Sequence, residues 1–114
     1  MPLTVYHLKA CDTCRKAIKT IKAAGADLQL IDVREDGLPK SELTHLMNSA
    51  GWEVLLNRRS TTWRNLDEAD KADMTQDKAK DLILEHPTLM KRPVIDTGTQ
   101  IYVGWTKEVQ ALFG

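Results

Sequence analysis

Residues 3–8, Leu-Thr-Val-Tyr-His-Leu, form a short block of strand formers too brief for a helix. The period then changes. Ala17, Ile18, Ile21 and Ala24 recur at helical spacing, Asp12 offers an N-cap ahead of them, and Gly25 supplies a stop behind them. Residues 28–33, Leu-Gln-Leu-Ile-Asp-Val, return to a strand pattern. A helix between two strands makes parallel pairing through a right-handed crossover the expected arrangement.

Residues 38–90 carry helical patterns and no convincing strand: Leu43, Leu46 and Met47 after Pro39, a short pattern around residues 63–66, and Ala79, Leu82 and Ile83 after Thr75. This stretch reads as an all-helical insertion. Residues 93–96 and 100–103 flank Gly98 as the arms of a hairpin, and residues 106–113 form a last helix with Val109, Leu112 and Phe113 expected inward. The order βαβ, helices, ββα predicts an α/β fold with a four-stranded mixed sheet and helices on both faces, the thioredoxin-like layout. No linker, repeat or low-complexity tract interrupts it, so residues 1–114 are read as a single domain.

Charge narrows the function classes. Sixteen Lys and Arg balance sixteen Asp and Glu, which leaves no overall field to attract nucleic acid or anionic lipid. The 42% hydrophobic and 28% charged composition is that of an ordinary globular protein. No signal-peptide pattern opens the sequence and no apolar run approaches spanning length, so a cytoplasmic protein independent of membranes is expected; a monomer is taken as the default, since the sequence carries no signal of oligomeric state.

Cys11 and Cys14 are the only cysteines, too few to staple a secreted fold, and their role is read as chemical. A thiol at the first turn of a helix faces unpaired backbone N–H groups and the positive end of the helix dipole, and both favour the thiolate. Cys11 falls at that place, and Cys14 lies one turn further on, within disulfide reach if the geometry permits. Cys14 is read either as a resolving thiol or as a small helix residue. Likewise, His7 is read either as tuning Cys11 from the preceding strand or as a core imidazole. A closed zinc site takes four ligands, and two cysteines with three scattered histidines do not supply them. No metal and no nucleotide or flavin cofactor is expected.

The segment Tyr6-His7-Leu8-Lys9-Ala10-Cys11-Asp12-Thr13-Cys14-Arg15-Lys16-Ala17 resembles the active-site segment of the ArsC family, including its Spx and YffB-like branches. The resemblance continues in order through Asn57-Arg58-Arg59-Ser60, Glu85-His86-Pro87, residues 91–95 and Val103-Gly104-Trp105. It implies a thioredoxin fold with a helical insertion, a nucleophile at Cys11, a neighbouring histidine at His7, and anion-binding arginines at Arg15, Arg59 and Arg92, with Arg58 an adjacent alternative. It further implies a cis Arg92–Pro93 bond, with Pro93 presenting backbone groups to a peptide-like ligand such as glutathione. The family's arsenate reductases carry a further arginine near the last hairpin, where this sequence reads Val103-Gly104-Trp105 as in the Spx-like branch. They also usually have a residue other than cysteine at the place of Cys14, and they continue past the last helix, whereas this sequence stops at Gly114.

Two functions follow as expectations. One is a thiol-dependent reductase in which the Cys11 thiolate acts on a disulfide or on an oxyanion such as arsenate, with glutathione as co-substrate or glutaredoxin as partner. The other is an Spx-like redox-sensing regulator that binds RNA polymerase.

Overall fold

Strand β1 (Leu3–His7) lies between β2 (Leu28–Asp32) and β3 (Val94–Asp96), with β4 (Ile101–Val103) outermost, in the order β2-β1-β3-β4 of a computed structural model that describes residues 3–113. Gly114, at which the sequence stops, is outside the described residues. β1 and β2 are parallel, in a register running from Leu3↔Leu28 to His7↔Asp32. β1–β3 and β3–β4 are antiparallel, so the sheet is mixed as the sequence pattern predicts. The hairpin turn is closed by Thr97 N–H to Gln100 O at 2.9 Å, and the Asp96 carboxylate accepts Gly98 N–H at 2.8 Å. Gly98 has φ +94°, a conformation that favours glycine.

The chain divides into two compact units: one runs to Gly37 and resumes at Arg92, and the other is Leu38–Lys91. In the first, helix α1 (Asp12–Ala23) ends at Gly25, whose φ is +87°. One face of the sheet carries its core, where Val5 and Ile95 pack with Ile21 of α1 and Val109 of the last helix, α7 (Lys107–Phe113). Tyr102 and Phe113 meet edge to face, their ring centroids 5.5 Å apart. Alternation puts Tyr6 and Val94 on the opposite face, where both are buried.

Two side chains depart from the sequence reading. The N-cap of α1 is Cys11, with extended φ and ψ, and Asp12 is the first helical residue. The sulfur takes the capping place that the more usual carboxylate was expected to fill. Leu112, expected inward, is 61% exposed. With only seven residues, α7 anchors through Val109 and Phe113 along one line, and Leu112 falls on the helix flank.

In the second unit, α2 (Lys40–Ala50) buries Leu43, Leu46 and Met47, and α6 (Gln76–Glu85) buries Ala79, Leu82 and Ile83, as their periodicity predicts. The Thr75 side chain caps α6 by accepting Lys78 N–H. Between them lie α3 (Trp52–Leu55), α4 (Thr61–Arg64) and α5 (Glu68–Lys71), and a 3₁₀ turn at Pro87–Leu89 follows. The α3 and α5 helices are single turns, too short for a 3.6-residue period to appear in the sequence. The expectation of no strand here is modified by one antiparallel bridge, Leu56↔Met90, flanked by Asn57 N–H to Leu89 O at 2.7 Å and Lys91 N–H to Leu55 O at 2.8 Å. Among the described residues, no helix is long and apolar enough to cross a membrane.

Candidate active site

Cys11 ends a tight turn. Its N–H donates to Leu8 O at 3.1 Å, its carbonyl accepts Arg15 N–H at 3.1 Å, and its Sγ accepts Cys14 N–H at 3.4 Å. The sulfur therefore stands over the first turn of α1, where backbone donors are unpaired and the dipole is positive. Cys11 is half-buried, Cys14 is fully buried, and both are free thiols.

Their acidities diverge. Burial pushes the Cys11 thiol up, but hydrogen bonds from the Cys14 side chain and backbone, together with the Arg92 guanidinium, outweigh it and bring the thiol below its ordinary value. Cys14 is pushed up to about 12, first by burial and then by the hydrogen bond it gives to Cys11. Cys11 is the more acidic thiol of the two, and Cys14 donates to it.

Arg92 precedes a cis peptide bond to Pro93. Pro93 is buried and its carbonyl accepts Gly104 N–H at 2.8 Å, which ties β3 to the end of β4. Gly104 has φ +85°. The departure from the arginine of the arsenate reductases therefore stands on a backbone that a side chain would strain.

His7 is 8% exposed and lies opposite Asp32 in the β1–β2 register. Asp32, 3% exposed, was not singled out from the sequence. Its Oδ1 accepts Arg34 N–H and Glu35 N–H, both at 2.9 Å, and its Oδ2 accepts Lys9 N–H at 3.0 Å. Burial raises its pKa, but these three N–H groups and the neighbouring His7 outweigh burial and hold the carboxyl below its usual range. An acid inside the apolar run Leu-Gln-Leu-Ile-Asp-Val was the available signal. Beside it, Leu8, Lys9, Ala10, Asp32, Arg34 and Glu35 line a small cavity of about 120 Å³.

The arginines have separate surroundings. The Arg15 Nε donates to Lys9 O at 2.9 Å and its Nη2 lies 3.5 Å from Asp12 Oδ1. Arg58 stacks over both Trp52 and Trp63, at 6.0 and 5.9 Å. Arg59 is exposed on a groove shared with Glu53, Asn57, Arg58 and Lys91, and its N–H donates to Asn57 Oδ1 at 3.1 Å. Cys11, Cys14 and Arg92 are brought together, while Arg59 belongs to the second unit. Among the described residues, no three His, Cys, Asp or Glu side chains converge as metal ligands.

The ArsC family model matches residues 6–112. The arsenate reductase of Escherichia coli strain K12 is 31% identical over 87% of this chain and 72% of its own. The regulatory protein MgsR of Bacillus subtilis is 26% identical over 90% of this chain and 82% of its own. Among solved structures, the YFFB protein superposes with a TM-score of 0.90 at 35% identity, covering 97% of both chains.

Proposed function

The chain belongs to the ArsC family, and from that premise we propose that it is a glutathione-dependent thiol reductase working through the Cys11 thiolate. The observation that carries this reading is the split between two adjacent thiols, Cys11 lowered at the helix start and Cys14 pushed up to about 12.

With a disulfide substrate, the Cys11 thiolate attacks one sulfur, the S–S bond breaks, and the second sulfur leaves as a thiolate. The chain is then held as a mixed disulfide. A glutathione thiolate attacks the substrate sulfur of that adduct, forms a glutathione–substrate disulfide and returns Cys11 as the thiolate. With an arsenate-type oxyanion, the first bond is sulfur to arsenic and an oxygen leaves as water or hydroxide; glutathione supplies the reducing electrons. The Arg92 guanidinium beside Cys11 suits an anionic substrate or the carboxylates of glutathione.

Glutathione is favoured over Cys14 as the resolving thiol because burial holds the Cys14 thiol protonated. Burial, the largest cause of the shift, persists after Cys11 has reacted. In a disulfide reduction assay with glutathione, Cys11→Ser abolishes turnover and Cys14→Ser retains it. A Cys11→Ser chain with full activity would remove the mechanism.

A second reading is supported by the likeness to a protein named as regulatory and by Gly104 in place of the reductases' arginine. In it, disulfide formation between Cys11 and Cys14 biases a surface that binds RNA polymerase. Redox-dependent retention of RNA polymerase by the immobilised chain supports that reading, and its absence in both redox states counts against it.

A further inference from the structure

We infer, on the proposal that Cys11 works as a thiolate, that Arg15 is a positioning residue: it holds the turn that aims the Cys11 sulfur at the start of α1. Residues 8–10 belong to neither β1 nor α1, and Cys11 joins α1 only as its cap, through its carbonyl and its sulfur. They are held at Lys9 from two sides. Asp32 Oδ2 accepts Lys9 N–H at 3.0 Å from the end of β2, and Arg15 Nε donates to Lys9 O at 2.9 Å from the first turn of α1. Between these anchors the turn closes through Cys11 N–H to Leu8 O. The contact of Cys14 N–H with Cys11 Sγ, at 3.4 Å, depends on the cap geometry that this turn sets.

Two observations separate this role from a direct electrostatic one. The Arg15 side chain is 63% exposed, so its charge is screened by solvent. The largest contributions that lower the Cys11 thiol come from Cys14 and Arg92. The neighbouring Asp12 carboxylate also engages the guanidinium, which orients its plane and diverts its charge from a ligand. Arg15 therefore acts on the reaction through the backbone of Lys9.

Side-chain geometry provides a test that separates hydrogen bond from charge. In Arg15→Gln the amide nitrogen sits the same number of bonds from the backbone as Arg Nε, keeping the donor and losing the charge. In Arg15→Lys a methylene replaces that donor and the charge remains. The measurement is the alkylation rate of Cys11 by iodoacetamide, a neutral reagent, against pH in the full chain, with the modified peptide identified by mass. Charge alone makes Arg15→Lys the faster variant. Positioning makes it the slower one, by about threefold or more at neutral pH and with a higher midpoint, because the sulfur loses part of its cap. Arg15→Lys reacting as fast as Arg15→Gln, or faster, overturns the inference. A wild-type Cys11 that titrates at the ordinary thiol value removes the thiolate reading and this inference with it, whereas a low wild-type midpoint with no deficit in Arg15→Lys removes only the role of Arg15.

Discussion

Two thiols one helical turn apart are driven in opposite directions, and pH separates them. The fraction of Cys11 present as thiolate rises with pH through a midpoint below the ordinary thiol value, so Cys11 is alkylated at lower pH than Cys14. Cys14, pushed up to about 12, stays unmodified in the folded chain across the same range. Mass mapping after timed alkylation checks this, and equal labelling of the two cysteines would contradict it. Asp32 carries a different pH dependence. Its folded pKa is depressed, so the charged form stabilises the fold above the ordinary carboxyl pKa, and that contribution is lost as pH falls through the lower folded value. Asp32→Asn removes the charge and turns an amide towards Lys9 N–H. We expect a loss of about 2 kcal/mol at neutral pH and a flatter acid limb, read by urea melts between neutral and acidic pH. The lowering of Cys11 was legible from its place at a helix start, whereas the rise of Cys14 and the depression of Asp32 were not, because both depend on burial and on which groups surround an atom.

Helix periodicity located the buried face of α1, α2 and α6 from residues such as Ile21, Leu43 and Ile83, all fully buried. It failed where an element is too short to have a period, as in the single turns α3 and α5, and at Leu112 on the seven-residue α7. A pair of truncations measures that distinction. Ile21→Ala, in the core between sheet and helices, is expected to cost about 2–5 kcal/mol. Leu112→Ala, on the exposed flank, is expected to cost less than about 0.5 kcal/mol. Chemical melts of the two variants check this, and similar losses would return Leu112 to the core. Thr75 was legible as the start of α6, and its side chain accepts Lys78 N–H at 3.2 Å. Thr75→Ala is expected to cost about 1 kcal/mol in the same melts.

At the scale of the molecule, the proposed reductase reading calls for glutathione near Cys11. An NMR titration of the reduced chain is expected to shift resonances of Cys11, Arg92 and Pro93, with smaller shifts in Cys11→Ser; no shifts there favour the regulatory reading. The order of strands and helices was legible because each element has its own local signature: a run of β-formers, a helical period, a glycine stop. The mixed four-stranded sheet followed because a helix between two strands forces a parallel crossover, while a short glycine turn forces an antiparallel return. Cys11 at the junction of strand and helix was likewise set by sequence order, since any helix beginning there exposes its first N–H groups to that side chain. Only the tertiary structure decided that Cys11 itself is the cap, that Arg92 helps to lower its thiol, and that Asp32 and Arg15 meet at Lys9. Arg92 and Asp32 reach their partners from far along the chain, and the contacts of Cys11 and Arg15, though close in sequence, depend on separations of a few ångströms that no local pattern encodes.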